Sequence, residues 1–141
     1  MSGKNQFPFV LNWQTTNPAI GYNPTPGGAD QASALSGVTS GTMSSTNTIY
    51  SQIIPISKMD NVGVQLDWTG TPTGTITVQV SNNGNIFHAL TFNPALAQPS
   101  GSAAGLCINL NQLSFRYIII QYVNASGSGT LTGSGQAKDL N

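Results

Sequence analysis

Val62-Gly63-Val64-Gln65-Leu66-Asp67-Trp68 and Thr75-Ile76-Thr77-Val78-Gln79-Val80-Ser81, with Thr69-Gly70-Thr71-Pro72-Thr73-Gly74 between them, decide the fold class of this 141-residue chain. Val62, Val64, Leu66 and Trp68 fall on one face of an extended segment, and Gly63, Gln65 and Asp67 on the other. Ile76, Val78 and Val80 alternate with Thr75, Thr77, Gln79 and Ser81 in the same way. A period of two marks a half-buried strand, because successive side chains of a strand point to opposite faces. Gly70, Pro72 and Gly74 supply turn chemistry between the runs. Asn82-Asn83-Gly84 reads as a tight turn closing the second run. The expectation is a β-hairpin at the centre of an all-β domain.

Working outward toward the N-terminus, residues 48–54 alternate weakly, and Pro55 ends or bulges that strand because it has no N–H to give to a ladder. Residues 14–41 are rich in Pro, Gly, Ala, Ser and Thr. A structureless run of that length inside a compact domain is commonly a functional loop or a linker. Before it stands Phe7-Pro8-Phe9-Val10-Leu11-Asn12-Trp13, a short aromatic arm that either packs on its own domain or reaches onto a neighbour. The expected organisation is therefore an arm and loop at 1–41 and a β-sandwich domain at 42–141.

Toward the C-terminus, residues 86–92, 105–110, 115–123 and 130–138 read as strands. The run Phe115-Arg116-Tyr117-Ile118-Ile119-Ile120-Gln121-Tyr122-Val123 is apolar on both faces, which predicts a central strand covered on both sides. Residues 124–129, with Gly127 and Gly129, read as a hairpin loop. About seven to nine short strands separated by turn signals, with no convincing helix, make the signature of a β-sandwich of jelly-roll type.

Composition narrows the function. Only 6% of the residues are charged, against about 25% in ordinary soluble proteins. The cations are Lys4, Lys58, Arg116 and Lys138 and the anions Asp30, Asp60, Asp67 and Asp139, for a net charge of zero, while Ser, Thr, Asn, Gln and Gly make up about half the chain. Four cations cannot form a stripe that tracks phosphates, so nucleic acid is excluded as a partner. No apolar run approaches the roughly 20 residues that span a bilayer, and the N-terminus has no charged-then-apolar export signal, so no membrane association is expected. Proteins that avoid association keep their net charge away from zero. This composition fits either a polar extracellular domain or, better, a subunit whose surface is used in contacts.

Catalysis finds little to work with. His88 stands alone, and no nucleophile motif accompanies it. Asp30, Asp60, Asp67 and Asp139 do not pair into the two carboxylates that glycoside hydrolysis needs. No Cys/His spacing suits zinc. Asp60, Asn61 and Asp67 offer oxygens for calcium, but Asp60-Asn61 is equally a turn. No catalytic residue, metal or cofactor is expected. The lone Cys107, between Leu106 and Ile108, reads as a small core residue. Binding is the better prospect: Trp13, Tyr22, Tyr50, Trp68, Tyr117 and Tyr122 are side chains that fill partner pockets or stack on sugars. Trp68, on the apolar face of its strand, belongs to the core. Trp13 and Tyr22 lie between core cover and intersubunit contact.

Three stretches carry a resemblance. They are 60–66 with 68–75 (Trp68-Thr69-Gly70-Thr71-Pro72-Thr73-Gly74-Thr75), 78–82, and 110–113 with 115–118 followed by Gly127-Ser128-Gly129-Thr130-Leu131-Thr132. Over about residues 48–138 the chain resembles small β-sandwich virion proteins of tailed bacteriophages. The resemblance implies a particle component such as a capsid decoration or cement protein, the base of a head fibre, or a tail-attached module. It implies no catalytic residues. The function expected from it is a non-enzymatic virion protein that binds and stabilises the assembled head. Its partners would be the major capsid protein or other virion subunits, and it would act as a homo-oligomer, dimer or trimer. Phe7, Phe9, Trp13 and Tyr22 would be its anchors. The alternative is a carbohydrate- or receptor-binding module of a tail or head fibre, which predicts exposed aromatics beside Asn, Gln and Asp at one end of the sandwich.

Overall fold

The computed structural model describes residues 5–19, 38–44, 47–56, 61–111 and 114–139. Among these residues all of the regular structure is β: β1 (Asn5–Val10), β2 (Trp13–Gln14), β3 (Gly41–Met43), β4 (Thr48–Ser51), β5 (Ile54–Pro55), β6 (Asn61–Gly70), β7 (Thr73–Ser81), β8 (His88–Ala89), β9 (Ala104–Asn111), β10 (Tyr117–Ser126) and β11 (Gly129–Asp139). Two antiparallel sheets pack face to face. The first has the order β1-β11-β6-β9, with β3 also on β11, and the second the order β2-β4-β10-β7-β8, with β5 also on β10. From β6 onward the chain alternates between them: β6 in the first, β7 and β8 in the second, β9 in the first, β10 in the second, β11 in the first. That is jelly-roll connectivity, as the sequence predicts.

The central pair of strands corrects one expectation. β6 and β7 do not pair with each other. β6 is bonded to β11 and β9, and β7 to β10 and β8. Val62, Val64, Leu66 and Trp68 meet Ile76, Val78 and Val80 across the core rather than side by side in one sheet. Residues 70–72 therefore form an arch between sheets. The supposed hairpin loop at 124–129 is a second arch, from β10 to β11. The two arches lie against each other: Thr71 N–H donates to Ser128 O (2.9 Å). Residues 99–101 close the other flank, where Gly74 N–H donates to Pro99 O (3.1 Å) and Gly101 N–H to Pro72 O (2.8 Å). The turn's polar groups thus find partners in neighbouring segments, and nothing pulls the two strands into one ladder.

The core holds Leu11, Trp13, Met43, Ile49, Ile54, Val62, Leu66, Trp68, Ile76, Val78, Ile108, Leu110, Ile118, Ile120, Tyr122 and Leu131, among others. The indole N–H of Trp68 donates to Ser102 O (3.0 Å). As predicted, β10 is covered on both faces. Ile118, Ile120 and Tyr122 face the core. Tyr117 and Ile119 face outward into a second cluster with Ile53, bordered by Ala19, Tyr50 and Phe87. Ser51 pins the adjoining strand: its hydroxyl accepts from Ile120 N–H (2.8 Å) and donates to Gln52 O (2.9 Å).

The N-terminal residues belong to the sandwich. β1 pairs with β11 over its whole length, from Asn5 opposite Asp139 to Val10 opposite Ser134. At the corner into β2, the Gln52 amide accepts from Asn12 N–H and donates to Val10 O, both at 2.9 Å. The expected boundary after residue 41 therefore does not separate residues 5–14 from the sheets. Residues 20–37, most of the expected loop, lie outside the described residues.

Tyr122 ties the second arch to the core. Its hydroxyl donates to Asn124 Oδ1 (2.7 Å), and the Asn124 amide donates to Gly127 O (3.1 Å). Burial raises the phenol pKa above its ordinary 10.0, because charge is disfavoured away from water. A raised folded-state pKa on an acid stabilises the fold below the unfolded pKa, and that contribution is lost as pH rises through the folded value. Tyr122→Phe leaves Asn124 Oδ1 short of its donor, so a loss of about 1–2 kcal/mol at neutral pH is expected. Denaturant melts between pH 8 and 11 should also show a shallower alkaline decline in the variant than in the parent.

Candidate functional site

The outward face of the first sheet is the most distinctive surface of the molecule. It is built by alternation. Where Val62, Val64, Leu66 and Trp68 point inward from β6, Gly63, Gln65, Asp67 and Thr69 point outward. On β11 they stand beside Gln136, Ser134, Thr132 and Thr130, and on β9 Asn109 stands beside Gly63, Cys107 beside Gln65 and Gly105 beside Asp67. Asp67, Lys138 and Asp139 are the charges along these strands, and the Asp67 carboxylate accepts from Gln65 Nε2 (2.9 Å). Gly63 has open space where a side chain would stand. Two adjoining shallow depressions of about 470 and 370 Å³ meet there, sharing Gly63, Asn109 and Gln136. Their walls are Gln65, Cys107 and Ser134 on one side and Asn61, Asn111 and Lys138 on the other.

Chemically, this face offers carboxamides and hydroxyls, each able to donate and to accept. Such a surface can exchange hydrogen bonds with a neutral polar partner without the cost of desolvating charges.

Cys107 corrects a second expectation. It is exposed, not a core residue. On β9 the inward positions belong to Leu106, Ile108 and Leu110, which leaves Cys107 on the outer face. Its apolar neighbours in sequence hid this, because they are the ones that alternate inward.

The expected anchors divide. Trp13 is 3% exposed and packs in the main core, so it is core cover in a strand rather than an exposed contact residue. Its indole N–H has no hydrogen-bond partner among the described residues. Phe9 is half-buried and packs against the same core, opposite Gly135, where an added side chain would strike the Phe9 ring. Phe7 stands opposite Ala137 in the ladder. Tyr22 lies outside the described residues. In place of the aromatics, β1 presents Val10 to solvent, 54% exposed. None of the described aromatic side chains is fully exposed, so the paired aromatics and amides expected of a sugar-binding end do not occur among them.

His88 is exposed on β8. Among the described residues no three His, Cys, Asp or Glu side chains come together to hold a metal. Asp60, one of the three residues of the calcium possibility, lies outside the described residues. Arg116 stands over the Tyr117 ring, 5.3 Å from its centroid, as cation–π packing.

No family model matches the chain, and no curated protein matches it in sequence. Its fold is similar to that of the SPBc2 prophage-derived protein YomS, with a TM-score of 0.53 and 10% identity, over 98% of this chain and 96% of that one. A family two carbohydrate esterase from Cellvibrio japonicus aligns with a TM-score of 0.35 and 10% identity over 34% of its length. The first match fixes a shared fold over nearly the full length of both chains.

Proposed function

We propose that this chain is a non-enzymatic structural protein of a phage particle, one that decorates the assembled head and stabilises it. The observation that carries the reading is the outer face of the first sheet: a broad surface of amides, hydroxyls and glycines, nearly free of charge, with a long uncharged strand at its margin. Such a surface suits repeated contacts with other protein subunits. The full-length fold similarity to a prophage-derived protein agrees with this reading, as does the sequence resemblance to small phage virion proteins. The mechanism is mass action: a protein that binds only the assembled lattice stabilises it by its binding free energy.

The contacts expected at Trp13 move elsewhere, because that side chain is in the core. The amide face around Gly63 and the exposed Val10 on β1 take their place. Particles lacking this protein, incubated with the purified chain, test the proposal. Saturable co-sedimentation with particles and an increase in their melting temperature are expected. Gly63→Arg, which fills the depression with a charged side chain, should abolish both while leaving the chain folded. Failure of the parent protein to bind particles would sink the reading.

One observation favours a second reading, a neutral glycan ligand: the ring of Gln65, Asn109, Asn111 and Gln136 around Gly63 can bond sugar hydroxyls. Without a stacking aromatic in that ring it is the weaker reading, and a glycan array on the purified chain decides it.

A further inference from the structure

We propose that the chain forms a two-fold dimer by antiparallel pairing of β9 with β9 of a second copy, joining the two first sheets into one continuous sheet. The inference does not depend on the capsid reading.

The four margins of the two sheets differ in what they offer. β2 and β8 are two residues long, and short edges resist pairing. β1 carries Pro8, which has no N–H to donate. β9 runs for eight residues, Ala-Gly-Leu-Cys-Ile-Asn-Leu-Asn, with no proline and no charge. Soluble proteins normally protect such an edge with lysine, proline, a bulge or a covering segment. Among the described residues no strand pairs with β9 on the side away from β6.

The ladder shows which groups face that margin. Leu11 N–H donates to Gly133 O (2.9 Å), so Gly133 directs its backbone groups toward β1. Antiparallel pairs alternate between bonded and non-bonded. Gly133 and its neighbour Leu66 are therefore a non-bonded pair, and Leu66 bonds instead with Leu106 on β9. The close approach of Leu66 O to the site of an added Cβ on Gly105 (3.2 Å) agrees. It follows that Leu106, Ile108 and Leu110 bond to β6, while Gly105, Cys107, Asn109 and Asn111 present N–H and C=O to the free margin.

This set is self-complementary. About a two-fold axis at Ile108, Gly105 faces the partner's Asn111 and Cys107 faces the partner's Asn109. Four bonded pairs give about eight hydrogen bonds. No charges face one another, and an interface related by a two-fold closes on itself rather than growing into a fibre.

Light scattering on the full chain tests the pairing. A species of twice the 14.7 kDa chain mass is expected. The register places the two Cys107 side chains diagonally, about 7–8 Å apart, so a bismaleimide of about that reach should link them, whereas direct oxidation to a disulfide should be slow. Asn109→Pro removes an N–H that serves only the margin and should give a folded monomer, whose melting temperature no longer depends on concentration as the dimer's does. Asn109→Lys keeps the backbone intact and should weaken the dimer more than about tenfold by charging the edge; it decides the matter if the proline variant fails to fold. A monomeric parent at high concentration overturns the proposal, as does a dimer that survives Asn109→Lys. Rapid disulfide formation in place of the bismaleimide product overturns the register.

Discussion

Gly127→Val is expected to lower stability by about 3 kcal/mol and the melting temperature by roughly ten degrees, although residue 127 is exposed and touches no core side chain. Two penalties combine. Gly127 has φ +71°, in the left-handed region that a β-branched residue enters only with strain. In addition, an added Cβ would land on the carbonyl oxygen of Thr71 in the neighbouring arch. Backbone on one side and strain on the other leave no easy relaxation. Moving the arch would break the Thr71–Ser128 hydrogen bond and pull Gly127 O from the Asn124 amide. Thermal denaturation followed by circular dichroism measures the effect. A change of less than one degree would mean that the two arches do not pack as described.

Ile119→Ala is expected to cost about 2–4 kcal/mol, as much as the same change at Ile120 on the opposite face of β10. In an ordinary sandwich the outward position of a sheet is solvated and tolerates truncation. Here both residues are fully buried. Ile120 packs in the main core, and Ile119 in the outer cluster with Ile53 and Tyr117. Parallel urea titrations of the two variants, compared with Val123→Ala as an exposed reference on the same strand, read the difference directly. If Ile119→Ala behaves like Val123→Ala, the outer cluster contributes nothing to stability.

These two residues also show how far the sequence could be read. The unbroken apolar run from Tyr117 to Ile120 announced cover on both faces, because a half-solvated strand would alternate. The alternation of 62–68 and 76–80 placed the correct side chains in the core. It could not say which strands bond to which, since a hairpin and an arch put the same residues inward. What separates them is the set of partners that meet the turn: Ser128 O, Pro99 O and Gly101 N–H all lie close in space, and all three are distant in sequence from the turn they serve. The sequence around Cys107 misleads for a related reason. Flanking residues describe a position's surroundings only in a run buried on both faces, and in an alternating strand they describe the opposite face. Trp13 looked like an arm residue because Pro8 and the loop after it hid a two-residue strand. The amide face had no local signal, as its members come from β6, β9 and β11.

The position of β11 has a consequence for biogenesis. Residues 129–139 form the middle of the first sheet, with β1 and β3 on one side and β6 on the other. While the chain is being synthesised, β1 and β6 therefore have no strand between them, and their inward apolar residues face an incomplete sheet. The sheet cannot close until residue 139 has left the ribosome. The jelly roll is thus completed after translation of its last strand and not progressively during it, and fusions that hold β11 back in the exit tunnel should arrest the domain as an open, protease-sensitive intermediate.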